Sequence, residues 1–330
     1  MVPRNRFRHY ISLNNFYYLL VTKANLMDSV NKKNFLCIIN VKYRKETCPT
    51  SMEKNKIWFI TGCSTGFGRE LANLILELGY KAIVTARNIN DIKHITDRYP
   101  KSSIPVKLDV TNREEIKQSI IEAKNAFGKI DVLVNNAGIG YFGAIEESEE
   151  EEVRRMFDIN FFGLANVTNA VLPLMREQKS GHIINIASIG GLVSFPAVGF
   201  YNATKYAVDG YSEALSKEVA HLGIKVTVIA PSGFRTDWAG RSARNSKITI
   251  EDYAPSAGAN KQNIRSSSGN QAGDPIRAVR AIVKIVESEN PPLRLLLGKA
   301  ALRNARNKLD LLKKDFDEWE ETTTSADFPQ

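Results

Sequence analysis

IWFITGCSTGFGRELANLILELG, residues 57–79, joins three kinds of segment in immediate succession. Ile57, Trp58, Phe59 and Ile60 form an apolar, β-favouring run with the length of a buried strand. TGCSTGFG then places Gly62, Gly66 and Gly68 at G-x-x-x-G-x-G spacing. Beyond it Leu71, Leu74, Ile75 and Leu78 recur at helical spacing, and Gly79 suits a helix end. A strand, a glycine turn and a helix make a phosphate site. Glycines let the backbone turn tightly and approach a pyrophosphate, whose charge faces the free N–H groups of the helix start. The spacing differs from the common G-x-G-x-x-G fingerprint, and a glycine trio alone is only a turn, so the elements C-terminal to it decide its meaning.

Those elements continue the alternation. Residues 81–86 form a second strand ending in Ala86 and Arg87. A dinucleotide site for NAD(H) places an acidic residue there to accept from the ribose 2′-hydroxyl, whereas Arg pairs with a 2′-phosphate; Arg87 therefore favours NADP(H), unless it is only a solvated surface residue. A third strand, 104–108, runs into Asp109 and Val110, where Asp109 either accepts an adenine amino group or caps the next helix. The fourth strand, 131–134, ends in Asn135, Asn136, Ala137 and Gly138, which bring backbone near a ligand while the Asn amides tie strand ends together. Residues 146–152 are an acidic run at a helix start and read as capping and solvation, not metal binding. Asn160 lies in a mainly apolar helical region, where it needs partners: backbone groups, or a water that relays protons.

In IINIASIGGLVSFPAVGFYNATK, residues 183–205, Ser188 falls where a buried strand ends, and Tyr201 and Lys205 lie four apart on one helical face. A phenol with a reference pKa of roughly 10 is a poor acid or base at neutral pH, and a nearby ammonium favours its phenolate. Such a pair suits proton transfer at a carbonyl oxygen. A helix over 201–222, a strand over 225–229 and PSGFRT at 231–236 continue the pattern. Residues 237–274 are polar and long for a connection, as expected of a mobile lid over a substrate, with Trp238, Ile248, Ile250 and Tyr253 as its apolar contacts. Pro275 opens a helix to Val286, and 293–297 give a last strand. In the tail, 299–320, Leu302, Ala305, Leu309, Leu312, Phe316 and Trp319 recur at steps of three and four, one apolar stripe expected to pack on the body or lid in preference to a subunit contact. Residues 322–330 should fray.

Six motifs in order, TGCSTGFG, NNAG, the helical Asn160, Ser188, Tyr201 with Lys205 as YxxxK, and PSGFRT, resemble those of the short-chain dehydrogenase/reductase family in its shorter, non-extended subtype. The resemblance runs from about residue 56 to 297. It implies an α/β fold: a single doubly wound Rossmann-type domain with a parallel sheet of about seven strands and helices on both faces. It further implies an oxidoreductase that moves a hydride between NADP(H) and a small-molecule carbonyl or alcohol. Tyr201 would exchange the proton, Ser188 would hold the substrate oxygen, Lys205 would lower the Tyr201 pKa and hold the nicotinamide ribose, and Asn160 would support a water behind Lys205. Gly62, Ser64, Gly66, Gly68, Arg87, Asp109, Val110, Asn136, Ala137 and Gly138 would line the dinucleotide, with Pro231, Gly233 and Thr236 near its nicotinamide end. Ser232 departs from the pattern by stretching the usual Pro-Gly pair. The alternatives are an NAD-dependent alcohol dehydrogenase, steroid- or retinol-like, and a non-catalytic NADP(H)-binding regulator.

Composition bounds these expectations. The chain has 330 residues and a net charge of +9, of which residues 1–51 carry nine basic and two acidic residues, leaving little excess for the body. No concentrated basic stripe remains there, so nucleic acid is not an expected partner; a homo-oligomer is compatible with the family. Cys37, Cys48 and Cys63 offer no paired framework, and His9, His94, His182 and His221 no metal spacing, so a cytoplasmic, metal-free protein is expected. No apolar run has the length of a membrane span. Residues 1–51 read as a basic extension outside the core, either a transit-type segment or a stretch preceding a functional start at Met52.

Overall fold

A computed structural model describes residues 55–240 and 242–328. The chain divides into a unit spanning Met1–Lys54 and a unit spanning Asn55–Gln330. The expectations for residues 1–51, Cys37, Cys48 and Met52 lie outside the described residues.

In chain order the second unit runs β1 (Ile57–Ile60), α1 (Gly66–Glu77), β2 (Lys81–Ala86), α2 (Asn90–Thr96), β3 (Ser103–Lys107), α3 (Arg113–Phe127), β4 (Val132–Asn135) and β5 (Gly140–Phe142). It continues through α4 (Glu150–Phe157), α5 (Leu164–Gln178), β6 (Gly181–Ile186), α6 (Gly199–Val219), β7 (Ile224–Pro231), β8 (Ala243–Asn245) and α7 (Ala259–Ser266). The last elements are α8 (Pro275–Val286), β9 (Arg294–Leu297), α9 (Lys299–Glu318) and α10 (Glu320–Thr324). Seven strands form one parallel sheet in the order β3-β2-β1-β4-β6-β7-β9, and β5 pairs with β8 apart from it.

Strand β1 shows why both faces are covered. Ile57 and Phe59 point into a core with Ile83, Val106, Ile116, Val167 and Val171, while Trp58 and Ile60 point into another with Leu71, Ile75, Val279 and Ile282. A strand with alternate residues in two cores must be apolar throughout, which is what residues 57–60 are. Helices α3, α5 and α6 cover the first face; α1, α2 and α8 cover the second. The strand order reverses between β1 and β4, which pair directly. At such a switch point the helices leave in opposite directions from the carboxyl ends of the strands and open a crevice.

Several expectations shift. Asn112, not Asp109, caps α3 by accepting from the Glu114 and Glu115 amides at 3.0 and 3.2 Å. Asp109 instead accepts from the Thr111 amide and hydroxyl at 2.9 and 2.7 Å, closing a local turn. Ser232 has a structural use: its amide donates to the Leu297 carbonyl at 3.0 Å, extending the β7–β9 pairing. Its hydroxyl crowds Gly298, whose φ of +96° and lack of a Cβ let the chain pass. The apolar stripe of α9 does not pack along its length: Ala301 and Ala305 are buried, whereas Leu309, Phe316 and Trp319 are 66, 67 and 63% exposed. Beyond it the chain turns through α10 where fraying was expected. No helix among the described residues is long and apolar enough to cross a membrane.

Candidate active site

A cleft of about 1000 Å³ lies over the carboxyl ends of β1, β4 and β6. At one end is the turn from β1 into α1. Gly62 and Gly66 have φ of +71° and +56°, conformations that a side chain would strain. Thr65, the N-cap of α1, makes no side-chain cap, so the first amides of a 12-residue helix are left for a ligand. Asn136 buttresses the turn from beneath, donating to the Thr61 and Gly62 carbonyls at 2.9 Å each, so the tie expected of the NNAG amides is present. Gly68 does not line the cleft: a Cβ there would drive into the Gly62 carbonyl oxygen and come within 2.5 Å of Asn136 Nδ2. It is the glycine on which the turn closes against the neighbouring strand.

Gly62, Ser64, Gly66, Arg87, Asp109, Val110, Asn136, Ala137 and Gly138 share this wall. Arg87 is exposed at the end of β2, and Arg155 faces the same end of the cleft, a residue that spacing alone did not single out. Pro231, Gly233 and Thr236 line the cleft as well, and Thr236 lies against the glycine turn, where a Cβ on Gly66 would meet its side chain at 3.6 Å.

Ser188 follows β6 in extended backbone (φ −169°, ψ 161°) and caps a short 3₁₀ turn by accepting from the Gly190 amide at 3.0 Å. Its hydroxyl and the Tyr201 ring both border Gly190, where a Cβ would meet them at 3.3 and 3.6 Å. Tyr201 and Lys205 lie in the first turns of α6, both buried, at 8 and 5% exposure. Lys205 Nζ donates to the Ile186 carbonyl at 2.9 Å and lies 5.7 Å from the centroid of the Tyr201 ring. Burial pushes Tyr201 up to about 12, the Ser188 hydroxyl opposing it, and burial alone brings Lys205 down to about 8. Desolvation therefore sets the direction of both shifts.

Asn160 stands behind the cleft wall, within a π-helical segment, Asp158–Gly163. Its Oδ1 accepts from the Ile139 amide at 2.8 Å, and its Nδ2 donates to the Ile139 carbonyl at 2.9 Å and to Thr204 Oγ1 at 3.2 Å. Its side chain thus bridges backbone groups and links the chain after NNAG to α6.

The 237–274 segment forms the remaining wall and has elements of its own. Trp238 lies 4.8 Å from the Tyr201 ring and 5.5 Å from Phe142, centroid to centroid. Gly140 lets it in, since a Cβ there would meet the indole at 3.0 Å. Arg265 and three glutamates of the acidic run hold the segment, and the sequence marks none of them for that task. Arg265 donates to the carbonyls of Ala239, Gly240 and Ala243 at 2.9, 2.7 and 2.8 Å and to Asn245 Oδ1 at 2.8 Å, with its guanidinium 4.6 Å from the Phe142 ring. Glu147, 3% exposed, accepts from the amides of Ala144 at 2.9 Å and Ile250 at 3.0 Å. Glu149 accepts from the Tyr141 hydroxyl and from the Lys247 amide, and Glu146 from the Tyr253 hydroxyl at 2.6 Å. The two amides hold the Glu147 carboxyl below the usual carboxylate range, and the Tyr141 hydroxyl, then the Lys247 amide, do the same for Glu149. The acidic run is thus more than helix capping and solvation: it is the fixture to which the segment is tied. Among the described residues no cluster of His, Cys, Asp and Glu could hold a metal ion.

Sheet order, glycine turn and the Ser-Tyr-Lys wall together define a dehydrogenase or reductase of the Rossmann type. Residues 56–247 match the short chain dehydrogenase family. The chain belongs to that family. It is 37% identical over 272 residues to an oxidoreductase, BOA17, of Botryotinia fuckeliana, covering 82% of this chain and 99% of that one. It is 40% identical over 250 residues to a 3-ketodihydrosphingosine reductase of Bacteroides thetaiotaomicron, covering 74 and 88%. Among solved structures, a short-chain dehydrogenase from Streptomyces avermitilis superposes with a TM-score of 0.77 at 38% identity, over 83% of this chain and 99% of that one. More distant neighbours were solved with dinucleotides. One from Burkholderia phymatum holds NAD (26% identity, TM-score 0.69, 78 and 95% coverage), and ElxO holds NADP (27%, 0.63, 76 and 99%).

Proposed function

We propose that the chain interconverts a carbonyl and an alcohol with NADP(H), using Tyr201 as the proton donor or acceptor. The observation that carries this reading is the meeting of Ser188, Tyr201 and Lys205 on one wall of a cleft whose other end is a glycine turn fit for a pyrophosphate. When bound, a nicotinamide dinucleotide supplies the hydride to the carbonyl carbon or accepts it from the alcohol carbon. The amides at the start of α1 and the open turn at Gly62 and Gly66 receive its pyrophosphate. Arg87, directly after Ala86 and without a carboxylate in that place, favours a 2′-phosphate. The dinucleotides in the neighbouring structures include both kinds, and the Bacteroides relative is by name a ketone reductase, which supports a nicotinamide cofactor and a ketone as substrate.

Ser188 Oγ orients the substrate oxygen beside the phenol. Burial, which pushes Tyr201 up to about 12, keeps the phenol protonated at neutral pH but makes it a weaker acid than a free phenol, so its proton leaves only as charge builds on the substrate oxygen. As the phenol gives up its proton, Lys205 steadies the resulting charge from the same helical face, and Asn160 keeps the neighbouring backbone fixed. Trp238 covers the phenol and limits water at the reacting atoms.

Replacing Tyr201 by Phe tests the reading: turnover should fall by about 10²- to 10⁴-fold while NADPH binding, followed by fluorescence titration, stays intact. Turnover unchanged by this substitution would sink the mechanism. Arg87→Asp should shift the ratio of kcat/KM for NADPH and NADH toward NADH by about 10-fold or more. A strong NADH preference in the unsubstituted protein would refute the role given to Arg87.

A further inference from the structure

The second half of α9 leaves the body with its apolar side uncovered. The helix starts beside the cleft, where Ala301 and Ala305 pack with Ile189, Leu192, Val193 and Leu296. Past that point nothing among the described residues covers Leu309, Phe316 or Trp319, and Leu302 is itself 43% exposed. Leu302, Leu309 and Phe316 are seven residues apart, and so are Ala305, Leu312 and Trp319. Apolar residues at alternating steps of three and four make the narrow seam by which one helix packs along another, narrower than the stripe a helix lays on a globular core. At about 1.5 Å per residue the helix is about 30 Å long, and one that stands clear of its own core needs such a partner to be stable.

Charge says which partner. Residues 299–308 carry Lys299, Arg303, Arg306 and Lys308 and no acid, whereas residues 315–321 carry Asp315, Asp317, Glu318, Glu320 and Glu321 and no base. Two copies of the helix laid parallel would set like charges side by side. Laid antiparallel, they set the basic half of each against the acidic half of the other. A two-fold axis near Leu309 then places Leu302 of one helix beside Phe316 of the other, so a single surface complements itself.

We infer that α9 is a self-association surface through which two copies of this chain pair, their helices antiparallel along Leu302, Leu309 and Phe316. Ala300 and Asn304, in the first turns of the same helix, line the cleft, so the contact adjoins the substrate end of the site. Sedimentation equilibrium of the full chain at rising concentration tests the pairing. The unsubstituted chain should self-associate, and Leu309→Asp, a change at an exposed position, should weaken association at least about 100-fold with its circular dichroism unchanged. Arg303→Glu should also weaken it, and adding Asp315→Lys should restore it, because positions 303 and 315 face each other about an axis at Leu309 only in the antiparallel arrangement. A chain that stays monomeric, as it would if its own residues 1–54 covered the helix, overturns the inference. So does a Leu309→Asp variant that associates like the parent, or an Arg303→Glu, Asp315→Lys swap no better than Arg303→Glu alone.

Discussion

The two ends of the cleft are held by different kinds of bond. At the glycine end, backbone packs on backbone: Gly68 closes on the Gly62 carbonyl, and Asn136 ties two consecutive carbonyls from the next strand. At the substrate end, side chains reach across 20 to 103 residues of sequence. Glu147 holds the Ile250 amide, and Arg265 gathers the carbonyls of a turn around Trp238. A site built from backbone tolerates little change. A site built from a few removable anchors can be re-formed without disturbing the sheet, which separates cofactor binding from substrate choice.

Gly68→Ala should break the first end most severely. The added methyl meets backbone on one side and the Asn136 amide on the other, so we expect a loss of about 1–3 kcal/mol in stability and at least about 100-fold in dinucleotide affinity, read by thermal denaturation and by NADPH titration. Arg265→Met keeps the bulk but removes every donor to the 239–245 carbonyls. NADPH affinity should hold while KM for the substrate rises by about 10-fold, and Trp238 fluorescence should change as the indole leaves Tyr201; an equal loss of both affinities would mean that the two ends are not separable. Glu147→Gln should be milder, because one oxygen can still accept from an amide, and a rise in KM of about 3-fold is expected. The pH dependence divides in the same way. The folded pKa values of Glu147 and Glu149 lie below their ordinary value of 4.5, so their contribution is full above that value and is lost as pH falls through the lower, folded values. Acid titration followed by Trp238 fluorescence should therefore show the substrate wall loosening before the sheet loses its circular dichroism.

How far each end is legible in the sequence depends on the same distinction. Backbone sites announce themselves locally: residues 57–79 already contain the strand, the turn and the helix, and strands β2, β3, β4, β6, β7 and β9 fall within two residues of where apolar runs place them. Ser188, Tyr201 and Lys205 are legible because their spacing is that of a strand end and one helical turn. Arg265 and Glu147 are not, because nothing near either residue in sequence marks it; Asn245 lies 20 residues from Arg265 and Ile250 lies 103 from Glu147, and a buried carboxylate within EESEEEE looks like its solvated neighbours. The α9 stripe is visible as a stripe, but what covers it depends on how far the helix projects past β9, which periodicity does not encode.

Lys205 sets folding against work. A lysine brought down to about 8 from 10.5 is an ammonium that the fold would rather not house: the penalty is fully present below pH 8 and is relieved as pH rises toward 10.5, where the unfolded chain loses its proton as well. Near neutral pH the enzyme therefore lives with a charge that weakens it, and Lys205→Met should melt at a higher temperature than the parent while losing its activity. The protein is least comfortable where it is most useful.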